Sequence, residues 1–72
     1  MVMSGFIGIH LNGETVQIQK GLCLEELVRE RGHASDEVAV EVNRELVPRP
    51  ARAEYSLQDE DRVEFVTLVG GG

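Results

Sequence analysis

The sequence closes on Gly70-Gly71-Gly72, and these three residues hold its greatest chemical potential. At an average glycine usage of about 7%, a terminal glycine pair is roughly a 0.5% event. Three residues without Cβ reach about 10 Å and adopt backbone conformations closed to other residues, so such a tail can enter a narrow channel. It would deliver the α-carboxylate of Gly72, with Gly71 and Gly70 allowing passage. That carboxylate is ionised and unreactive until its oxygen becomes a better leaving group, as in an acyl-adenylate. The sequence has neither of the common glycine loops that cradle phosphates. It therefore binds no cofactor itself, and ATP belongs to a partner for which this chain is a substrate, not a catalyst. The competing reading is a frayed end or a cloning remnant.

The segment leading into the tail supports delivery. In a strand over Arg62 to Val69, Val63, Phe65, Thr67 and Val69 face a core, which leaves Glu64, Val66 and Leu68 on the opposite face. Two of those three are apolar, and an apolar patch beside acids suits docking onto an enzyme; the alternative is scattered surface apolar residues of no consequence. Cys23, His10 and His33 have no metal-ligand spacing, and no nucleophile, base and orienting group can be named. His10 and His33 read as surface or turn residues. Arg44, Arg49 and Arg52 read as solvated positions that could also meet an acidic partner, and Glu25 and Glu26 as first-turn helix acids.

The elements that position this ending follow from the pattern. Phe6 to Leu11 alternate, with Ile7, Ile9 and Leu11 on one face. Asn12-Gly13 supplies the two residues tolerant of positive φ in a type I′ turn, and Val16 and Ile18 continue the return strand. After Gly21, Leu24, Leu27 and Val28 recur at helical spacing, and the helix ends at Gly32. Val38 to Val42 is a third strand, and Asn43-Arg44-Glu45 is its turn. Leu46-Val47 forms a short edge strand curtailed by Pro48 and Pro50, which cannot donate to a ladder, and covers little of the core. Ala51 to Asp61 is a polar connection in which Tyr55 and Leu57 dip into the core. The expected fold is α+β, a β-grasp (ubiquitin-like) mixed sheet of four to five strands with one helix packed across one face. Residues 1–6 form an N-terminal extension, 7–69 the domain and 70–72 a flexible glycine tail.

Seventy-two residues allow one domain. Thirteen Asp and Glu against seven Lys and Arg give a formal charge of −6, which opposes phosphate neutralisation and argues against nucleic acid as a partner. A single Cys in so small a chain indicates a reducing, cytoplasmic setting. Neither a signal peptide nor a membrane segment is evident.

Taken together, these residues resemble the bacterial ThiS-type sulfur carriers of thiamine biosynthesis, which are ubiquitin-like and end in Gly-Gly. The resemblance runs from Ile7 to Gly72 and is most specific at Asn43-Arg44-Glu45-Leu46-Val47-Pro48-Arg49 and at Gly71-Gly72. It implies that a ubiquitin-activating-type adenylyltransferase (ThiF-like) joins AMP to Gly72 using ATP and Mg²⁺, and that sulfur from a persulfide donor such as a cysteine desulfurase displaces it. The resulting thiocarboxylate supplies a thiazole synthase (ThiG-like). The small subunit of molybdopterin synthase, which also ends in Gly-Gly, is the alternative within this chemistry, and a ubiquitin-like interaction module with an idle tail is the alternative outside it. Two positions depart from the family pattern. Glu60 stands where glycine is usual, which predicts a different turn into the last strand, and Cys23 stands where a Thr or Ser helix cap is expected.

Overall fold

The computed structural model describes residues 5–68. The glycine tail, Val69 and most of the N-terminal extension lie outside them. Five strands form one mixed sheet: β1 (Phe6–Leu11), β2 (Glu14–Gln19), β3 (Val38–Val42), β4 (Glu45–Leu46) and β5 (Arg62–Thr67). Their spatial order is β2-β1-β5-β3-β4. The last strand is thus the central one, parallel to β1 and antiparallel to β3. Helix α1 (Leu24–Glu30) buries Leu24, Leu27 and Val28, and its one apolar stripe meets Ile9, Ile18, Val40, Leu57 and Val63 in a single core. This is the expected β-grasp.

Both hairpins use two-residue turns in which each central residue has positive φ. Asn12 and Gly13 take 50° and 86°, and Asn43 and Arg44 take 53° and 73°. These are type I′ geometries, whose twist matches that of the flanking strands. Helix α1 begins at Cys23, whose backbone N–H donates to the Glu26 carboxylate at 3.1 Å. That donation holds the exposed Glu26 carboxyl below its ordinary range, with the Cys23 side chain a lesser cause. The helix stops in a Schellman arrangement: Gly32, with φ 86°, donates to Arg29 O, and His33 donates to Val28 O.

Several expectations need correction. The fourth strand is Glu45–Leu46 rather than Leu46-Val47. Val47 instead turns inward and joins the core, its N–H donating to Val40 O. The connection after Pro48 is not wholly irregular, because Arg49–Arg52 forms a short helical turn, α2. Pro50 sits in its first turn, where a missing N–H costs nothing. Arg52 is not solvated: it is 3% exposed. Its guanidinium donates to Ser35 O and Val38 O at 2.8 Å each and to Val47 O at 3.5 Å. Three carbonyls thereby replace the water that burial removed, and burial lowers the guanidinium pKa without discharging it.

Thr67 was expected inside and is exposed, whereas Val63 is buried and Phe65 half-buried. Seven helical residues span about 10 Å and six strand residues about 20 Å, so α1 cannot roof the whole of β5. The turn before β5 also departs from expectation. Glu60 adopts φ 74°, the left-handed backbone that glycine would take, so the side chain differs from the family pattern while the turn keeps glycine-like geometry. Its amide donates to Gly8 O, and its carboxylate meets His10 Nε2 at 3.0 Å.

The exposed Arg44 carries a left-handed cost that glycine does not. Arg44→Gly is expected to raise stability by about 0.5–1 kcal/mol after the added unfolded-state entropy is subtracted. Thermal or urea unfolding measures this.

Candidate functional site

The exit strand β5 is tied down at its start by side chains from three other segments. Asp61, 7% exposed, accepts from Asn43 Nδ2 at 3.0 Å, from the Gln58 amide at 2.9 Å and from the Tyr55 hydroxyl at 3.3 Å. Its carbonyl accepts from the His10 amide at 2.9 Å. The two hairpin asparagines extend this. Asn43 Oδ1 accepts from the Arg62 amide at 3.0 Å, and Asn12 Oδ1 from the Phe65 amide at 2.9 Å. Each turn residue therefore supplies both a left-handed backbone and an acceptor for β5. That double demand suits Asn, whose short amide reaches a nearby N–H while its backbone tolerates positive φ.

So anchored, β5 divides its side chains between two faces. Val63 is buried and Phe65 half-buried on the inner face, where the His33 ring meets Phe65 edge-on at a centroid distance of 5.8 Å. Glu64, Val66 and Leu68 lie on the outer face, with Val66 50% and Leu68 57% exposed. Leu68 follows the strand, and its amide continues the ladder by donating to Glu37 O. The docking residues read from the sequence are thus brought to one exposed face, on the strand that leads to the tail. Gly70, Gly71 and Gly72 lie outside the described residues.

Sequence reasoning missed what stands beside them. The β3–β5 register puts Ala39 opposite Val66 and Glu41 opposite Glu64, and the β3–β4 register puts Leu46 opposite Glu41. Leu46, 63% exposed, therefore joins the same face. Its inclusion depends on a strand register that one segment cannot reveal. His10 and Arg62 pair across β1 and β5 on this face. Of the three arginines grouped in the sequence, Arg44 and Arg49 are exposed and Arg52 is internal. Cys23 is half-buried at the helix start, away from this surface. Among the described residues, no group of His, Cys, Asp and Glu could hold a metal ion, and no helix is long and apolar enough to cross a membrane.

Comparisons place this geometry among known proteins. The family model described as the ThiS family matches residues 9–72. A thiazole synthase of Magnetococcus marinus is 42% identical over 64 residues, which are 89% of this chain and 20% of that protein. The chain thus spans about a fifth of the length of that relative. The uncharacterized protein ycf40 of Porphyra purpurea is 35% identical over 66 residues, 92% of this chain and 93% of its own length. The crystal structure of a thiamine biosynthesis protein (ThiS) from Geobacter metallireducens matches with a TM-score of 0.78 at 29% identity, covering 92% of this chain and 100% of that one.

Two measurements test the anchoring. Asn43→Gly keeps the turn but removes the donor to Asp61 and the acceptor for Arg62, and is expected to cost about 2 kcal/mol in urea unfolding. Burial, then the neighbouring Asp61 charge, raises the Tyr55 pKa above its usual value near 10. The folded state therefore holds that proton longer than the unfolded state. Its contribution to stability is complete below about pH 10 and is lost as pH rises through the folded pKa. Tyr55→Phe is expected to flatten this alkaline decline.

Proposed function

The chain belongs to the ThiS family, and from that premise we propose that it is the sulfur carrier of thiazole formation in thiamine biosynthesis. The observation that carries this reading is a family match running through Gly72 on the chain that leaves the central strand of the sheet. The thiazole synthase relative and the solved ThiS structure support thiamine over the molybdopterin alternative.

The reaction follows from carboxylate chemistry. An adenylyltransferase of the ubiquitin-activating type (ThiF-like) directs a Gly72 carboxylate oxygen onto the α-phosphorus of ATP, and pyrophosphate leaves with Mg²⁺ in the partner's site. The acyl carbon now carries AMP as a leaving group. The terminal sulfur of a persulfide, generated by a donor such as a cysteine desulfurase, attacks that carbon and expels AMP. A second thiol then attacks the remaining S–S bond, which leaves a thiocarboxylate on Gly72 and a disulfide on the donor side. Thiazole synthase (ThiG-like) takes the sulfur. The chain is a protein substrate throughout and contributes no catalytic group. A reducing cytoplasm suits it, since that setting supplies the thiol.

Within this scheme Glu64, Val66 and Leu68 rest on the partner while Gly70 and Gly71 pass through its channel. A rigid docking face beside a narrow tail converts capture of Gly72 into a near-intramolecular event.

Intact mass spectrometry after incubation with the adenylyltransferase, ATP and a persulfide source is expected to show one oxygen exchanged for sulfur. Gly72 deletion, or residues added after it, is expected to abolish that exchange without changing the unfolding midpoint. A gene deletion is expected to be rescued by thiazole; rescue by molybdopterin instead would reassign the pathway, and no mass change would remove the carrier role.

A further inference from the structure

Strand β5 lies at the centre of the sheet, yet one side of it is open toward its exit end. β1 pairs with it only at His10–Arg62 and Leu11–Val63. Hydrogen bonds define which residues of β5 face which neighbour: the Leu68 amide donates to Glu37 O and Arg62 O accepts from the Asn43 amide, so even-numbered residues point toward β3. Odd-numbered residues point toward β1. Val63 O accepts from the Asn12 amide, and the Phe65 amide donates to Asn12 Oδ1. Past that side chain β1 has already turned into its hairpin, and among the described residues no strand stands beside the Phe65 carbonyl or the amide and carbonyl of the exposed Thr67. These three groups follow ladder spacing over about 10 Å.

We propose that an extended strand of the protein docking on the outer face pairs with this open edge of β5 over Phe65 to Thr67, an inference that rests on the carrier role above. An unpaired edge is a template for another extended backbone, which alone supplies an amide and a carbonyl at matching intervals. The contact is continuous with the exposed Val66 and Leu68 of the docking face, and it fixes the direction in which the chain leaves toward Gly72. The chain's own amino-terminal residues cannot fill the lane. β1 runs parallel to β5 with His10 level with Arg62, so Gly5 stands about 30 Å short of Thr67 along the strands, whereas four extended residues reach about 14 Å. A second copy would set one charge of −6 against another across a short contact.

The experiment uses the full chain and the organism's own adenylyltransferase. Thr67→Pro removes the outward amide alone, because the β3 side of the ladder is served by the neighbouring Val66 and Leu68. Gln17→Pro makes the same change on the outer edge of β2, where the Lys20 amide donating to Gly5 O marks the even-numbered residues as those facing β1. Each variant is expected to lower the unfolding midpoint by less than about 8 °C. Thr67→Pro is expected to bind about tenfold more weakly, while Gln17→Pro binds as the wild type does. In the unaltered chain, hydrogen exchange of the Thr67 amide is expected to be fast and to slow by about tenfold or more in the complex, with Gln17 exchanging as before. A Thr67 amide that is already protected in the free chain, or that stays unprotected in the complex, overturns the proposal. Unchanged affinity of Thr67→Pro, or an equal loss in Gln17→Pro, overturns it as well. Intact mass in the same mixtures separates the two readings: sulfur gained at Gly72 with Thr67 unprotected removes the strand pairing and keeps the carrier role, and protection at Thr67 with no sulfur gained does the reverse.

Discussion

A single buried carboxylate organises this small protein. Asp61 lies where the 55–58 connection, the β3–β4 turn and the start of β5 converge, and it accepts a hydrogen bond from each of Tyr55, Gln58 and Asn43. An ionised acid removed from water is costly unless donors surround it. Here those donors belong to separate stretches of chain, so satisfying the charge also fixes their relative positions. The Asp61 carbonyl receives the His10 amide, and β1 is thereby aligned with β5 at the same point.

From that junction the rest follows in order. The central place of β5 gives it neighbours on both sides, and the strand outruns both the helix on one face and β1 at one edge. Where β1 stops, Asn12 Oδ1 supplies the acceptor that the ladder lacks at Phe65. Where α1 stops, Phe65 packs perpendicular to His33 and Thr67 meets solvent. A core of this size cannot enclose six-residue strands with a seven-residue helix. The far end of β5 is consequently exposed by geometry, and that is the end leading toward the tail. Arg52 serves the same architecture from the other side, tying the 3₁₀ turn Ser35–Glu37, β3 and the Val47 return through three carbonyls.

The outer face carries the opposite balance. Apolar Leu46, Val66 and Leu68 stay in water, and Glu41 and Glu64 share one cleft with Arg44, Arg62 and His10.

Much was legible in one dimension because it is governed by local sterics and by period. The alternation of Phe6 to Leu11, the Asn12-Gly13 turn, the spacing of Leu24, Leu27 and Val28, and the parity of Glu64, Val66 and Leu68 each depend on residues within one element, so they can be read without a partner. The family resemblance likewise rested on contiguous segments and on Gly71-Gly72. What only the tertiary structure decided involves groups distant along the chain. Arg52 looked like a solvated cation until Ser35, Val38 and Val47 presented carbonyls to it, Glu60 was free to keep a glycine-like backbone once Gly8 O and His10 gave its groups partners, and Leu46 and Glu41 entered the outer face only through the register of β3 with β4 and β5. Side-chain parity is a property of a strand, but burial, charge pairing and the company a side chain keeps are properties of its neighbours, and the sequence does not say who they are until the sheet is assembled.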